Sequence, residues 1–440
     1  FINSNIHVLL VSLLKFNSEL VVGPAVLGLV HLSLHNDMKH EIVTTANALP
    51  ILLKLLVESK SDLILTQCCK LLASLALHSP NKSPIVSSGC YHGIMDMVGG
   101  IRTGNIDVRL NACKAATNIV MGSDANRVLS IELDAIRPLL SVIHFVDNNI
   151  ALQNATSALA NIAYCNSFTG SKILSLGGDI AFVEILNTSN ILKQPELTCS
   201  TLIAIANLCS SESNQSHVGS CKGMIETVIR VCEHGREPSV VTEAANVMLA
   251  LSWKNTGNKA RIVSGGASSV LLKRIIRHAP LEDEPNVLCM ERTCMAMASL
   301  LIFRSNHEKF YDIGGVHEVN RLCKKAVSRR VLAAASTILV TLIPTPDEIK
   351  RMHEDYSTIQ VEQHNVLATL KRVQLFSFGH MTNPPDWLAT GISVLSMTDE
   401  ELGQAPKIEK AEYVEKLDFF KELSASIYPE VNFNTFPAAK

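Results

Sequence analysis

Residues 153–170 read Gln153-Asn-Ala-Thr-Ser-Ala-Leu-Ala-Asn-Ile-Ala-Tyr164 and then Cys165-Asn-Ser-Phe-Thr-Gly170. Ala155, Leu159, Ile162 and Ala163 fall at i, i+4, i+7 and i+8, a spacing that lays one apolar stripe along a helix. The small side chains of Ala155, Ala158 and Ala160 let neighbouring helices approach closely. The polar run 165–170 breaks the stripe. The pattern then predicts a short helix over Ser171–Leu176, a stop at Gly177-Gly178, and a further helix over Ile180–Leu186.

The end of that long helix recurs along the chain. Equivalent apolar anchors stand at Leu32, Leu75, Ile119, Ile162, Leu208, Leu251, Leu300 and Leu342, with gaps of 43, 44, 43, 46, 43, 49 and 42 residues. A helical repeat with a period in the low forties is a stack of units, each too small to bury its own apolar face. Gly89, Gly177, Gly265 and Gly314 follow their anchors by 14 or 15 residues. Glycine there permits a left-handed turn between two short helices. Ala46, Leu133 and Lys222 hold the corresponding place in three other units.

The strings Ala158-Leu-Ala-Asn-Ile-Ala163 and Ile173-Leu-Ser-Leu-Gly-Gly178 resemble the armadillo repeat. Related strings occur at Ala115–Val120, at Ala204–Cys209, and at Leu249–Trp253 followed by Ile262–Gly266. The resemblance covers roughly residues 20–344, weakest in the first and last units. HEAT repeats, the other helical class of similar period, have two helices per unit and lack the glycine step. The resemblance implies an all-α, right-handed armadillo-type solenoid of about eight three-helix repeats over residues 1–344. An irregular, partly helical C-terminal tail is expected over 345–440.

Asn118, Asn161 and Asn207 stand immediately before three consecutive anchors. They resemble the asparagine of the armadillo concave groove, whose amide holds the backbone of an extended peptide. An amide suits that role because it donates and accepts at once. One turn earlier, Lys70, Lys114 and Ser157 are expected on the same exposed face. Together these six residues are the candidate partner-binding groove, polar and slightly basic. Importin-alpha-like adaptors place tryptophan one turn before the asparagine, to pack along lysines of a basic cargo. Here Lys114, Ser157 and Ile203 occupy those places, so the transport-adaptor reading is disfavoured. Trp253, two residues past its anchor, is the sole tryptophan of the repeats.

Composition limits the function classes. The 440 residues are 47% hydrophobic but only 5% aromatic, so the core is aliphatic, as close helix packing requires. A net charge of −2 supplies no global field for nucleic acid or an anionic membrane. Residues 351–440 carry 8 Lys/Arg and 13 Asp/Glu, which makes the tail acidic and leaves the first 350 at +3. The longest apolar run, Val331–Ile343, has 13 residues, too few to span a bilayer. Residues 1–15 lack a signal-peptide pattern, and a start at Phe1 leads one to expect further chain before it.

No residue set suggests catalysis, a cofactor or a metal. The 15 histidines are scattered without an H-E-x-x-H pair, and no C-x-x-C occurs among the 12 cysteines. Cys68, Cys69, Cys113, Cys199 and Cys294 lie in apolar helical runs, as reduced core thiols of a cytoplasmic protein do. The glycine pairs 265–266 and 314–315 follow the repeat, not a phosphate-loop pattern. The acidic insertion His278–Pro285 marks the longest gap. Beyond Ile343, Pro344 and Pro346 end the helix, and helices are expected near 347–373, 388–395 and 409–424. The last of these puts Tyr413, Leu417 and Phe420 on one stripe.

The expected function is a non-catalytic scaffold that binds partner proteins along its concave face and helps assemble a larger complex. The resemblance extends to beta-catenin-like, vacuolar and ciliary or axonemal armadillo proteins. The modest charge of the repeats favours a structural assembly component of the cytoskeleton or cilium.

Overall fold

Every regular element among the described residues is a helix. The computed structural model describes residues 5–278, 283–302 and 306–325, with isolated positions between 335 and 342. The expected boundary at 344, the tail helices and the Tyr413–Phe420 stripe lie outside these residues. The chain divides into two compact units, residues 1–222 and 223–440.

In the first unit a three-helix motif repeats. Asp124–Glu132, Ile136–Phe145 and Asn149–Ala163 form one copy; Ser167–Ser175, Gly178–Leu186 and Pro195–Leu208 form the next. Asn36–Thr44, Leu49–Glu58 and Asp62–Leu75 form an earlier copy, and Lys82–Ser87, Cys90–Val98 and Ile106–Val120 lie between. Ile6–Leu13 and Glu19–Leu32 precede them. The short helices thus begin earlier than the periodicity predicts, at Ser167 and Gly178 and not at Ser171 and Ile180. The reason is capping: Asn166 Oδ1 accepts from the backbone N–H groups of Phe168 and Thr169, so the polar break is itself the first helical turn. Ser123 and Ser211 cap the matching helices through Asn126 and Asn214.

In the second unit Met224–His234 and Pro238–Ser252 are followed by Thr256–Ser264, Ala267–His278 and Glu284–Leu301, then by His307–Asp312 and Gly315–Lys325. Asn255 caps the helix from Thr256, and Asp283 the helix from Glu284. Pro238 and Pro285 sit in first turns, where a missing N–H costs nothing.

The anchors form the spine of the core. Leu75, Ile119, Ile162, Leu208, Leu251 and Leu300 are wholly buried, and only Leu32 is half-buried. A polar partner six or seven residues further on fixes each of several anchors. Within the first unit, Asn81, Asn126 and Thr169 donate to the carbonyls of Leu75, Ile119 and Ile162, at 3.1, 3.0 and 2.6 Å. Within the second, Asn258 and Asn306 donate to Leu251 and Leu300, at 2.9 and 2.6 Å. Helix C-termini leave open carbonyls, and these buried side chains close them. This signal is visible in the sequence as an Asn or Thr six or seven residues past the anchor, and the apolar pattern masks it.

Among the described residues the left-handed step is present in seven repeats, one residue later than predicted in four of them. Positive φ occurs at Asn47, Gly89, Asp134, Gly177, Gly223, Gly266 and Gly314. Gly265 is therefore corrected to Gly266, since Gly265 has φ −71° and merely ends the preceding helix. Likewise Asn47, Asp134 and Gly223 carry the step, not Ala46, Leu133 and Lys222. Asn, Asp and Gly are the residues that enter this region at least cost.

All twelve cysteines are free. Burial pushes the Cys69 and Cys113 thiols up to about 12, so they are packing groups and not nucleophiles. Cys199 is only half-buried. Among the described residues no single helix is long and apolar enough to cross a membrane.

Candidate partner-binding face

The third helices of the first unit, Asp62–Leu75, Ile106–Val120, Asn149–Ala163 and Pro195–Leu208, pack side by side. Small buried residues on their inner sides, among them Ala112, Ala116, Ala155 and Ala158, set the close approach. Positions one and five before each anchor are a turn apart and share a face.

The asparagine row bridges consecutive helices. Asn118 Nδ2 donates to Ala73 O at 2.9 Å, Asn161 to Thr117 O at 3.3 Å, and Asn207 to Ala160 O at 2.9 Å. Each amide thus reaches the carbonyl one residue before its own counterpart in the preceding unit. Ser74, the counterpart before Leu75, donates to Ser33 O at 3.0 Å. Thr117 and Asn154 extend the lattice: Thr117 Oγ1 donates to Asn154 O at 2.9 Å, and Asn154 Nδ2 to Leu110 O at 3.4 Å. Asn118 is buried, whereas Asn161 and Asn207 are half-buried. An amide has two N–H groups and an oxygen, so one inter-helix bond leaves further capacity at the two partly exposed positions.

The second row is Lys70, Lys114, Ser157 and Ile203, continued backward at Leu27. Lys70, Lys114, Ile203 and Leu27 are exposed, and Ser157 is half-buried. Neither lysine forms an ion pair with a carboxylate among the described residues. Among the described residues the face therefore offers two unpaired cations on its first two third helices and two partly accessible amides on the next two. Of the apolar side chains at the two ends of the row, Leu27 was not singled out in the sequence, although its spacing from Leu32 identifies it. Trp253 is buried and contributes to packing.

No protein-family model matches the chain, and no curated protein matches it. Solved structures do. An engineered protein superposes with a TM-score of 0.69 at 19% identity, over 95% of this chain and 99% of that one. A designed armadillo repeat protein superposes with a TM-score of 0.50 at 20% identity, over 57% of this chain and 99% of its own. Another, solved in complex with the peptide (KR)4, gives 0.50 at 18% over the same 57% of this chain and 99% of its own. The fold is an all-α solenoid of armadillo type.

Proposed function

We propose that this chain is a non-catalytic scaffold that holds an extended segment of a partner protein across the third-helix face between Lys70 and Asn207. The observation that carries this is one face that presents exposed Lys70 and Lys114, without an ion pair among the described residues, in two third helices and the half-buried amides of Asn161 and Asn207 in the next two. The lysines would meet carboxylates of the bound segment, and the amides its backbone N–H and C=O groups. A cytoplasmic setting, within a cytoskeletal or ciliary assembly, is the extension of this reading that family analogy favours.

The competing reading is a transport adaptor for basic peptides. Lysine at the position of the adaptor tryptophan supports the scaffold over it, because Lys114 repels a basic segment. Purification of the native complex followed by cross-linking of the Lys70–Asn207 face separates the two. A fixed partner set that persists in high salt supports the scaffold. Exchangeable, salt-sensitive contacts with many basic peptides overturn it in favour of the adaptor.

A further inference from the structure

The histidines are scattered in sequence, yet two of them meet in the fold. His40 lies in the first helix of its repeat, Asn36–Thr44, and His78 in the turn that leads from Asp62–Leu75 into the next repeat. Their ring centres stand 5.3 Å apart, with the planes tilted by 44°. His40 is exposed and His78 half-buried, so solvent reaches the pair.

Asn81 fixes the tautomer of His40. Its Nδ2 donates to the Lys39 carbonyl at 2.8 Å and to the Leu75 carbonyl at 3.1 Å, which turns Oδ1 toward the ring. Oδ1 lies 3.3 Å from His40 Nδ1 and can only accept, so Nδ1 carries the proton. The lone pair of the neutral ring is then on Nε2. An imidazole that donates through one nitrogen to a fixed oxygen and keeps the other bare is oriented as a metal-bound histidine is. His78 supplies the second observation. Its Nδ1 is buried without a hydrogen-bond partner among the described residues. Contact between the rings accounts for their closeness but not for that bare nitrogen, and a group of this kind calls for a bound water or ion.

The separation of the rings suits one shared ion. Two imidazoles that hold an ion at about 2.0–2.1 Å in a tetrahedral array have their ring centres about 5 Å apart. Imidazole nitrogen suits Zn²⁺, Ni²⁺ and Cu²⁺, whereas Mg²⁺ and Ca²⁺ take oxygen. No group of three or more His, Cys, Asp or Glu side chains placed to share an ion occurs among the described residues, so water completes the coordination. We infer that His40, through Nε2, and His78 form a two-histidine site for a divalent transition-metal ion. The ion clips the first helix of one repeat to the entry of the next. The site stands whether or not the third-helix face binds a peptide.

The test uses the full chain and Ni²⁺ alone, because imidazole suits this ion while thiolate favours Zn²⁺. Calorimetric titration at about pH 7.5, where imidazole is neutral, is expected to show one saturable site per chain. Melting temperature should rise with Ni²⁺ and fall back on adding EDTA. His40→Gln and His78→Gln are each expected to weaken the site by about tenfold or more, while His92→Gln and Cys165→Ser leave it unchanged. Metal-free melts check the fold of each variant; His40 is exposed, so His40→Gln is expected to match the wild type. Retention of the site in either His40→Gln or His78→Gln overturns the inference. So does its loss in Cys165→Ser, or the absence of saturable binding up to about 1 mM Ni²⁺.

Discussion

Asn118 donates its side-chain amide to the Ala73 carbonyl across 2.9 Å, and Ala73 directly precedes Ser74, the residue that holds the place of Asn118 in the preceding unit. The same offset recurs from Asn161 to Thr117 and from Asn207 to Ala160. One residue type at one phase thus does two jobs: it staples adjacent third helices, and it presents an amide to the face where a partner is proposed to lie. The two jobs predict different outcomes along the row.

Asn118 is the most buried of the three, so its loss leaves the Ala73 carbonyl without its side-chain partner. Asn118→Ala is expected to cost about 1–3 kcal/mol in urea unfolding. Asn161, with a longer bond of 3.3 Å and partial exposure, is expected to cost roughly 0.5–1 kcal/mol on the same measurement. Equal losses at the two sites would refute the staple as the source of the difference.

The anchor-closing bonds predict a larger effect. Asn258 is wholly buried and donates to Leu251 at 2.9 Å. Asn258→Leu strands the carbonyl and removes the amide together, and is expected to lower stability by about 2–3 kcal/mol. Chemical denaturation would show this as a shift in midpoint at unchanged slope.

Two glycines separate backbone conformation from packing. A side-chain carbon at Gly177 or at Gly104 would touch nothing within 4 Å, yet only Gly177 has positive φ, at 80°. Gly177→Ala is expected to destabilise by about 1–2 kcal/mol, and Gly104→Ala to stabilise by about 0.4–1 kcal/mol through the unfolded chain. Thermal melts of the two variants should move in opposite directions.

The second unit carries a pH-sensitive clasp at the base of the acidic insertion. His278 is buried, with Nδ1 2.6 Å from Asn286 Oδ1. Burial pushes its pKa below the ordinary 6.5; the Asn286 bond draws it back up, Arg274 and Arg277 push it down, and Asp283 raises it. The unfolded chain therefore binds this proton more tightly than the folded one. The contribution is full above pH 6.5 and is lost as pH falls from there toward the folded pKa. Asp283, held low chiefly by its Asn286 hydrogen bond, acts in the same sense only below the ordinary 3.8. Melting temperature should drop between pH 7 and about pH 5, and His278→Gln should reduce that drop. An unchanged pH profile in the variant would assign the drop to other groups.

Much of the scaffold was legible from residues alone. Ala155, Leu159 and Ile162 declare a helix because their neighbours at i+4 and i+7 are fixed by local geometry, and the same logic located six wholly buried anchors. Helix starts were less legible, because Asn166 and Ser123 look like loop residues until their side chains are seen to accept the first N–H groups. The left-handed step slipped by one residue at Gly266 and Asp134 for a related reason. An offset counted from an anchor is exact only if every first and second helix has the same length. On the candidate face, exposure of Lys70 and Lys114 follows from helical phase, but the carbonyls that Asn118, Asn161 and Asn207 reach do not.

By itself, the sequence determined the period, the helical class, the aliphatic core and the phase of each polar row, since all of these are set within a few turns of one chain. Only the tertiary structure decided which atoms meet across units. Asn118 reaches Ala73, and Arg102 reaches Val57, because of how far each helix slides against the last, and that offset is fixed by the packing of dozens of small side chains at once. The exposure of Leu63, Ile101 and Phe145 belongs to the same class. Each looks like an ordinary apolar residue in its own segment, and only stacking places all three along one side with nothing described against them.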